Sequence, residues 1–191
     1  MKHPIVAYGD PVLKKRATDI DPAEYPNIKQ LVEDMFETMY AAKGVGLAAP
    51  QIGLSMRVFV IDASSFDEDE PELKDFKKVF INAKMCEETG EEWDFKEGCL
   101  SIPDIRENVR RNADIRISYF DENWKHYEEN FSGMAARIIQ HEYDHIEGKL
   151  LTDRISPLRK RLIQKKLSDI TKGSVDIDYR MKFPNPVKKK R

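Results

Sequence analysis

The sequence predicts an α+β domain in which antiparallel β-sheets pack around a central helix and a basic helix follows near the C-terminus. Three observations carry this. Residues 26–43 repeat apolar side chains at helical spacing, a succession of short strand-like runs follows, and helical periodicity returns at about residue 132.

Each element has a local reason. In PNIKQLVEDMFETMYAAK, Ile28, Leu31, Val32, Met35, Phe36, Met39 and Tyr40 share one helix face, and Gly44 stands at the expected stop. GVGLAAPQIG reads as a glycine-punctuated loop, and MRVFVID as a strand. The acidic, proline-broken SSFDEDEPELKD, residues 64–75, reads as an exposed decorating loop. KVFINAKM, TGEEWDFKEG, NADIRISYF and KHYEENF have strand composition, with DEN a hairpin turn between the last two. Ser132 is the expected N-cap of the next helix and Gly148 its end. After Pro157, LRKRLIQKKLSDITKG reads as one strongly basic helix.

A chain of 191 residues, 40% hydrophobic and 9% aromatic, suffices for one well-cored domain. Residues 1–172 are expected to form it, with 173–191 a loose basic tail. No apolar run approaches the roughly 18 residues that cross a bilayer, and MKHPIVAYGDP lacks a secretory pattern, so a cytoplasmic protein without membrane contact is expected. Two cysteines, Cys86 and Cys99, make no disulfide framework. Charge is uneven: from Arg154 onward 13 Lys and Arg face 3 Asp, whereas the preceding residues are strongly acidic. Such an end can meet a polyanion, or simply be a solvated helix.

Two of the four histidines fall within HEYDH, residues 141–145. Four residues apart on a helix, His141 and His145 can offer ring nitrogens to one divalent metal ion, with Glu142 beside them as a base. On a wheel, Met134, Ile138, His141 and His145 lie within roughly 60°. Ala135, Ile139, Glu142 and Ile146 adjoin them, while Arg137, Gln140, Asp144 and Glu147 gather opposite, as a solvent face would. Burying two imidazoles and a carboxylate without partners is costly, which favours a shared metal over a plain core.

A catalytic site wants three protein ligands and an open position. The spacing that supplies a third histidine in one protease class has Leu151 there, and no glutamate follows Glu147. Asp153 stays formally open downstream. Upstream stand His3, His126, Cys86 and Cys99, of which Cys99, in the glycine-preceded turn EGCLSIP, is best placed to present a thiolate.

Three segments, GVGLAAPQ at 44–51, EGCLS at 97–101 and QHEYDH at 140–145, together resemble the bacterial peptide deformylases in order and spacing. The resemblance runs from YGDPVL to the basic helix. It implies a metal-dependent hydrolase that removes the formyl group from the N-terminal formyl-methionine of nascent polypeptides and releases formate. It implies Cys99, His141 and His145 as metal ligands on a central metal-binding helix, Glu142 as general acid and base, and Gln51 with the Leu100 backbone N–H as oxyanion donors. An apolar substrate pocket is implied near Val45, Gly46, Phe95, Met134 and Ile138, with Arg106 touching the peptide backbone and Glu97 with Arg111 bracing the cysteine segment. The resemblance further implies Fe(2+) in the cell, with Zn(2+) or Ni(2+) able to replace it. Arg159, Lys160, Arg161, Lys165 and Lys166 would dock a monomeric enzyme on the ribosome near the exit tunnel.

Overall fold

The computed structural model describes residues 1–186. In chain order the elements are β1 (Ile5–Val6), α1 (Ile28–Ala41), β2 (Gly46–Ala48), β3 (Val58–Asp62), β4 (Lys77–Cys99), β5 (Ile102–Phe120), β6 (His126–Ser132), α2 (Gly133–Ile146), α3 (Pro157–Leu162), α4 (Gln164–Thr171) and β7 (Met181–Lys182). Strands β2 to β6 form one antiparallel sheet in chain order, and β1 pairs with β7 in parallel. The expected α+β class holds. Among the described residues no helix is long and apolar enough to cross a membrane.

The period of two along β3 sends alternate side chains to opposite faces. Phe59 and Ile61 pack with Phe80, Ile115 and Ile117 against Met134, Ala135, Ile138 and Ile139 of α2. Val58 and Val60 pack against Ile28, Val32, Met35 and Met39 of α1. The sheet is thus sandwiched between the two helices. A third cluster joins Ile102, Ile105 and Val109 of β5 to Leu167 and Ile170 of α4.

Several local expectations change. The runs 78–85 and 89–98 belong to one strand, β4, whose register shifts at irregularities between Ile81 and Lys84 and between Thr89 and Glu92. Residues 102–111 extend β5 beyond the expected strand; the alternation of Ile105, Glu107, Val109 and Arg111 is present, but Pro103 interrupts its signal. Within the glycine-rich segment, 46–48 pair as β2 and Ala49–Ile52 form a 3-10 turn. At the end of α1 it is Lys43, not Gly44, that takes the left-handed conformation, while the Gly44 N–H caps the Met39 carbonyl. The basic helix divides at Ile163, which is buried at the junction of α3 and α4.

The acidic loop is more than decoration. Leu73 is buried within it, and the Glu70 carboxylate accepts from the Met134 N–H at 2.9 Å, capping α2. Ser132 has the extended backbone of an N-cap, but its side chain makes no capping bond. The segment after α4, expected to be loose, returns across the body to place β7 beside β1. Residues 187–191 of the expected tail lie outside the described residues.

Candidate active site

Helix α2 passes beneath the end of the β4–β5 hairpin, which brings His141, Glu142 and His145 to Cys99. One ligand atom from each of Cys99, His141 and His145 lies within 4.8 Å of the others. Cys99 Sγ stands 3.4 Å from His145 Nε2. His141 Nδ1 donates to Glu97 Oε2 at 2.9 Å, so its Nε2 faces the cluster. None of the other candidates joins them. His126 contacts Ser118, His3 lies near Asp34, Cys86 is exposed, and Asp153 is engaged by Lys14 and the Leu150 N–H.

The donor set fits a divalent metal: one sulfur and two imidazoles, at least one oriented by a carboxylate, in a partly dry setting. Glu142 Oε2 is buried with no hydrogen-bond partner, a cost that a bound ion and its solvent would relieve. Burial pushes the Glu142 carboxyl up to about 7, against the opposing pull of His141. Burial, followed by the charge of His141, pushes His145 down to about 3. Against its own burial, the hydrogen bonds to Cys99 and Glu97 push His141 up, so a metal ion bound at His141 would have to displace its proton. Gly46 faces Glu142 directly, and a Cβ there would overlap its carboxylate.

Glu97 is the hub behind the ligands. It accepts from Arg111 Nε at 2.7 Å and Nη2 at 3.0 Å, from Arg137 Nη1 at 3.0 Å, and from His141. Burial opposes its ionisation, but His141 and Arg111 hold its carboxyl well below the usual range. Arg111 reaches on to Asp144 at 2.8 Å, and Asp144 also receives Arg154. The expected pairing of Glu97 with Arg111 is therefore one link of a chain running from His141 to Arg154.

This network overturns the expected solvent face of α2. Arg137, Gln140 and Asp144 are 2%, 2% and 4% exposed. Arg137 donates to the Trp93 and Val109 carbonyls and stacks over the Trp93 ring, and Gln140 donates to the Asn112 carbonyl. Polar periodicity predicts water when the partners are far away in sequence; here β4 and β5 supply them. Arg137 is the site residue that sequence reasoning missed.

Gln51 is 1% exposed, and its Oε1 accepts from the Ala48 N–H at 2.9 Å. That bond turns Nε2 toward Cys99 Sγ, 3.6 Å away, and Ser101 Oγ, 3.4 Å away. Leu100 and Ser101 form the two-residue turn between paired Cys99 and Ile102. A cleft of about 1030 Å³ opens over these groups. Val45, Gly46, Phe95, Arg106, Met134 and Ile138 all line it, as do His141 and Glu142, so the expected pocket residues converge. Phe66, from the acidic loop, joins them.

Comparison with known proteins identifies the family. The Polypeptide deformylase family profile matches residues 2–161. The peptide deformylase of Christiangramia forsetii is 57% identical over 192 residues, covering 97% of each chain. That of Flavobacterium johnsoniae is 58% identical over 187 residues, covering 94% of this chain and 95% of the other. A solved peptide deformylase from Legionella pneumophila superposes with a TM-score of 0.78 at 36% identity, covering 91% of this chain and 98% of that one. One from Thermotoga maritima gives 0.73 at 40% identity, covering 82% and 99%. A likeness sustained at more than half identity over nearly the full length, on a matching fold, means that the chain belongs to the polypeptide deformylase family, metal-dependent hydrolases that remove the N-formyl group from nascent polypeptides.

Proposed function

We propose that this chain carries out deformylation with Cys99, His141 and His145 holding one divalent metal ion and Glu142 moving the protons. The observation that carries the reading is the convergence of three ligand atoms within 4.8 Å beside a buried, unpartnered Glu142 oxygen in one cleft. When bound, the metal supplies Lewis acidity that activates water and polarises the formyl carbonyl.

The residues do the rest. Glu142, pushed up to about 7, accepts a proton from the attacking water and returns it to the departing amine. Gln51 Nε2, fixed by the Ala48 N–H, and the Leu100 N–H donate to the oxygen on which negative charge develops. Val45, Gly46, Phe95, Met134 and Ile138 surround the methionine side chain, and Arg106 binds the peptide backbone. Glu97, Arg111 and Arg137 hold His141 in place.

One thiolate with two imidazoles suits an oxidisable Fe(2+) as well as Zn(2+) or Ni(2+), and iron is the reading for the cell. The enzyme acts as a monomer in the cytoplasm, near the ribosomal exit tunnel, through the basic surface of α3 and α4. It works as a single catalytic domain. Anaerobic purification, metal analysis and a formate-release assay on one sample test the reading. One metal per chain with formate released from formyl-Met peptides is expected, and it should be nearly abolished, metal retained, in Glu142→Ala. Activity that persists without metal would sink it.

A further inference from the structure

The family profile stops at residue 161, yet the chain beyond it returns to the active-site cleft. After α4, residues Asp176, Ile177, Asp178 and Tyr179 form one wall of the cavity that Cys99 and Gly46 also line. This wall is anchored at both ends. Asp178 pairs with Lys43, and the next residues join β1 through the Ile5 N–H to the Arg180 carbonyl, 2.9 Å, and the Ala7 N–H to the Lys182 carbonyl, 2.9 Å.

Between these anchors the Tyr179 hydroxyl donates to the Leu100 carbonyl at 2.8 Å. The Tyr8 N–H donates to the Ser101 carbonyl at 2.8 Å. Both carbonyls of the two-residue turn are thus held by groups outside the hairpin, while the Leu100 N–H makes no hydrogen bond among the described residues. A hairpin tip has few bonds of its own and swings about its flanking dihedrals. The Leu100 N–H lies in the peptide plane shared with Cys99, and the Leu100 carbonyl in the next plane. Pairing of Cys99 with Ile102 on one side and the Tyr179 bond on the other hold both planes and narrow the φ and ψ range of Leu100 that would misdirect the N–H.

We propose that Tyr179 is a positioning residue for deformylation, whose hydroxyl fixes the Leu100 turn so that the Leu100 N–H points at the developing oxyanion. This rests on the reading of Leu100 as an oxyanion donor. The C-terminal segment is then part of the catalytic apparatus, supplied from beyond the residues that the family profile matches.

The test is Tyr179→Phe in the metal-loaded full chain, which keeps the ring and removes only the hydroxyl. The expected result is a kcat lower by roughly tenfold with KM for a formyl-Met peptide changed by less than about twofold. Metal content and Tm should be retained, and hydrogen exchange at the Leu100 amide should be faster. Unchanged kcat with unchanged exchange overturns the proposal. Faster exchange with unchanged kcat overturns it too, but by a different route: Tyr179 then orders an amide the reaction does not use, and the Leu100 reading is what has failed. Loss of metal with a parallel rise in KM would mark a general structural role and likewise overturn it.

Discussion

Glu97 accepts a hydrogen bond from His141 Nδ1 at 2.9 Å while Arg111 and Arg137 both donate to it. The carboxylate therefore fixes the tautomer of the proposed metal ligand His141, and His141 and Arg111 hold its own carboxyl well below the usual range. Glu97→Gln keeps the shape and removes the charge. Metal affinity should fall by about 10- to 100-fold, as titration against a competing chelator would read. Arg137 would lose its paired carboxylate while Arg111 keeps Asp144, so unfolding stability should fall by up to about 3–5 kcal/mol. Wild-type affinity in this variant would show that Glu97 does not orient His141.

Gly46 lies against Glu142, where a side chain would overlap the carboxylate. Gly46→Ala should push Glu142 away from the cluster. We expect kcat for formate release to drop at least about tenfold, with metal content unchanged because no ligand moves. If kcat survives, the close approach is packing alone.

Much of this site was legible in the sequence, and the reason is locality. His141, Glu142 and His145 declare themselves by helical spacing, and Cys99 by its turn. What stayed hidden depends on distant pairing. Arg137, Gln140 and Asp144 read as a wet face because their partners, Glu97, Asn112 and Arg111, lie on strands far from them in sequence. The same holds for Glu70, which caps α2 from 64 residues away while the nearby Ser132 does not. Glu70→Ala should lower stability by about 1 kcal/mol, whereas Ser132→Ala should cost less, as paired denaturant titrations would show. The reverse order would return the cap to Ser132.

Asp153 gives a pH test away from the proposed metal ligands. Burial opposes its ionisation, but Lys14, the Leu150 N–H and Lys160 together lower its pKa. A carboxylate with a folded pKa below its unfolded value stabilises the fold above the unfolded value and loses that contribution as pH falls through the folded one. Asp153→Asn keeps an acceptor for Leu150 and removes the charge. Wild type should be more stable than the variant near neutrality, by less than about 1 kcal/mol because the pair is partly solvated. The gap should close on acidification below the ordinary carboxylate range. A gap that is constant with pH would assign the effect to packing.

Docking of α3 on the ribosome makes the last prediction, and the structure determines how it must be tested. Leu158 and Leu162, four residues apart, are 66% and 65% exposed beside Arg161 and Lys165, a mixed apolar and basic surface. Arg159 instead pairs with Glu107, so it contributes less free charge. Truncation at Pro157 would be a poor probe, because Leu167 and Ile170 of α4 are buried against β5 and their loss would damage the core. Charge reversal is cleaner: Arg161→Glu with Lys165→Glu should weaken cosedimentation with ribosomes by roughly tenfold or more at low salt and flatten its salt dependence. Formate release from a free formyl-Met peptide should be unchanged, since neither side chain lines the cleft. Cosedimentation equal to wild type across salt concentrations would leave the basic end as a solvated surface, and the ribosome reading would fall.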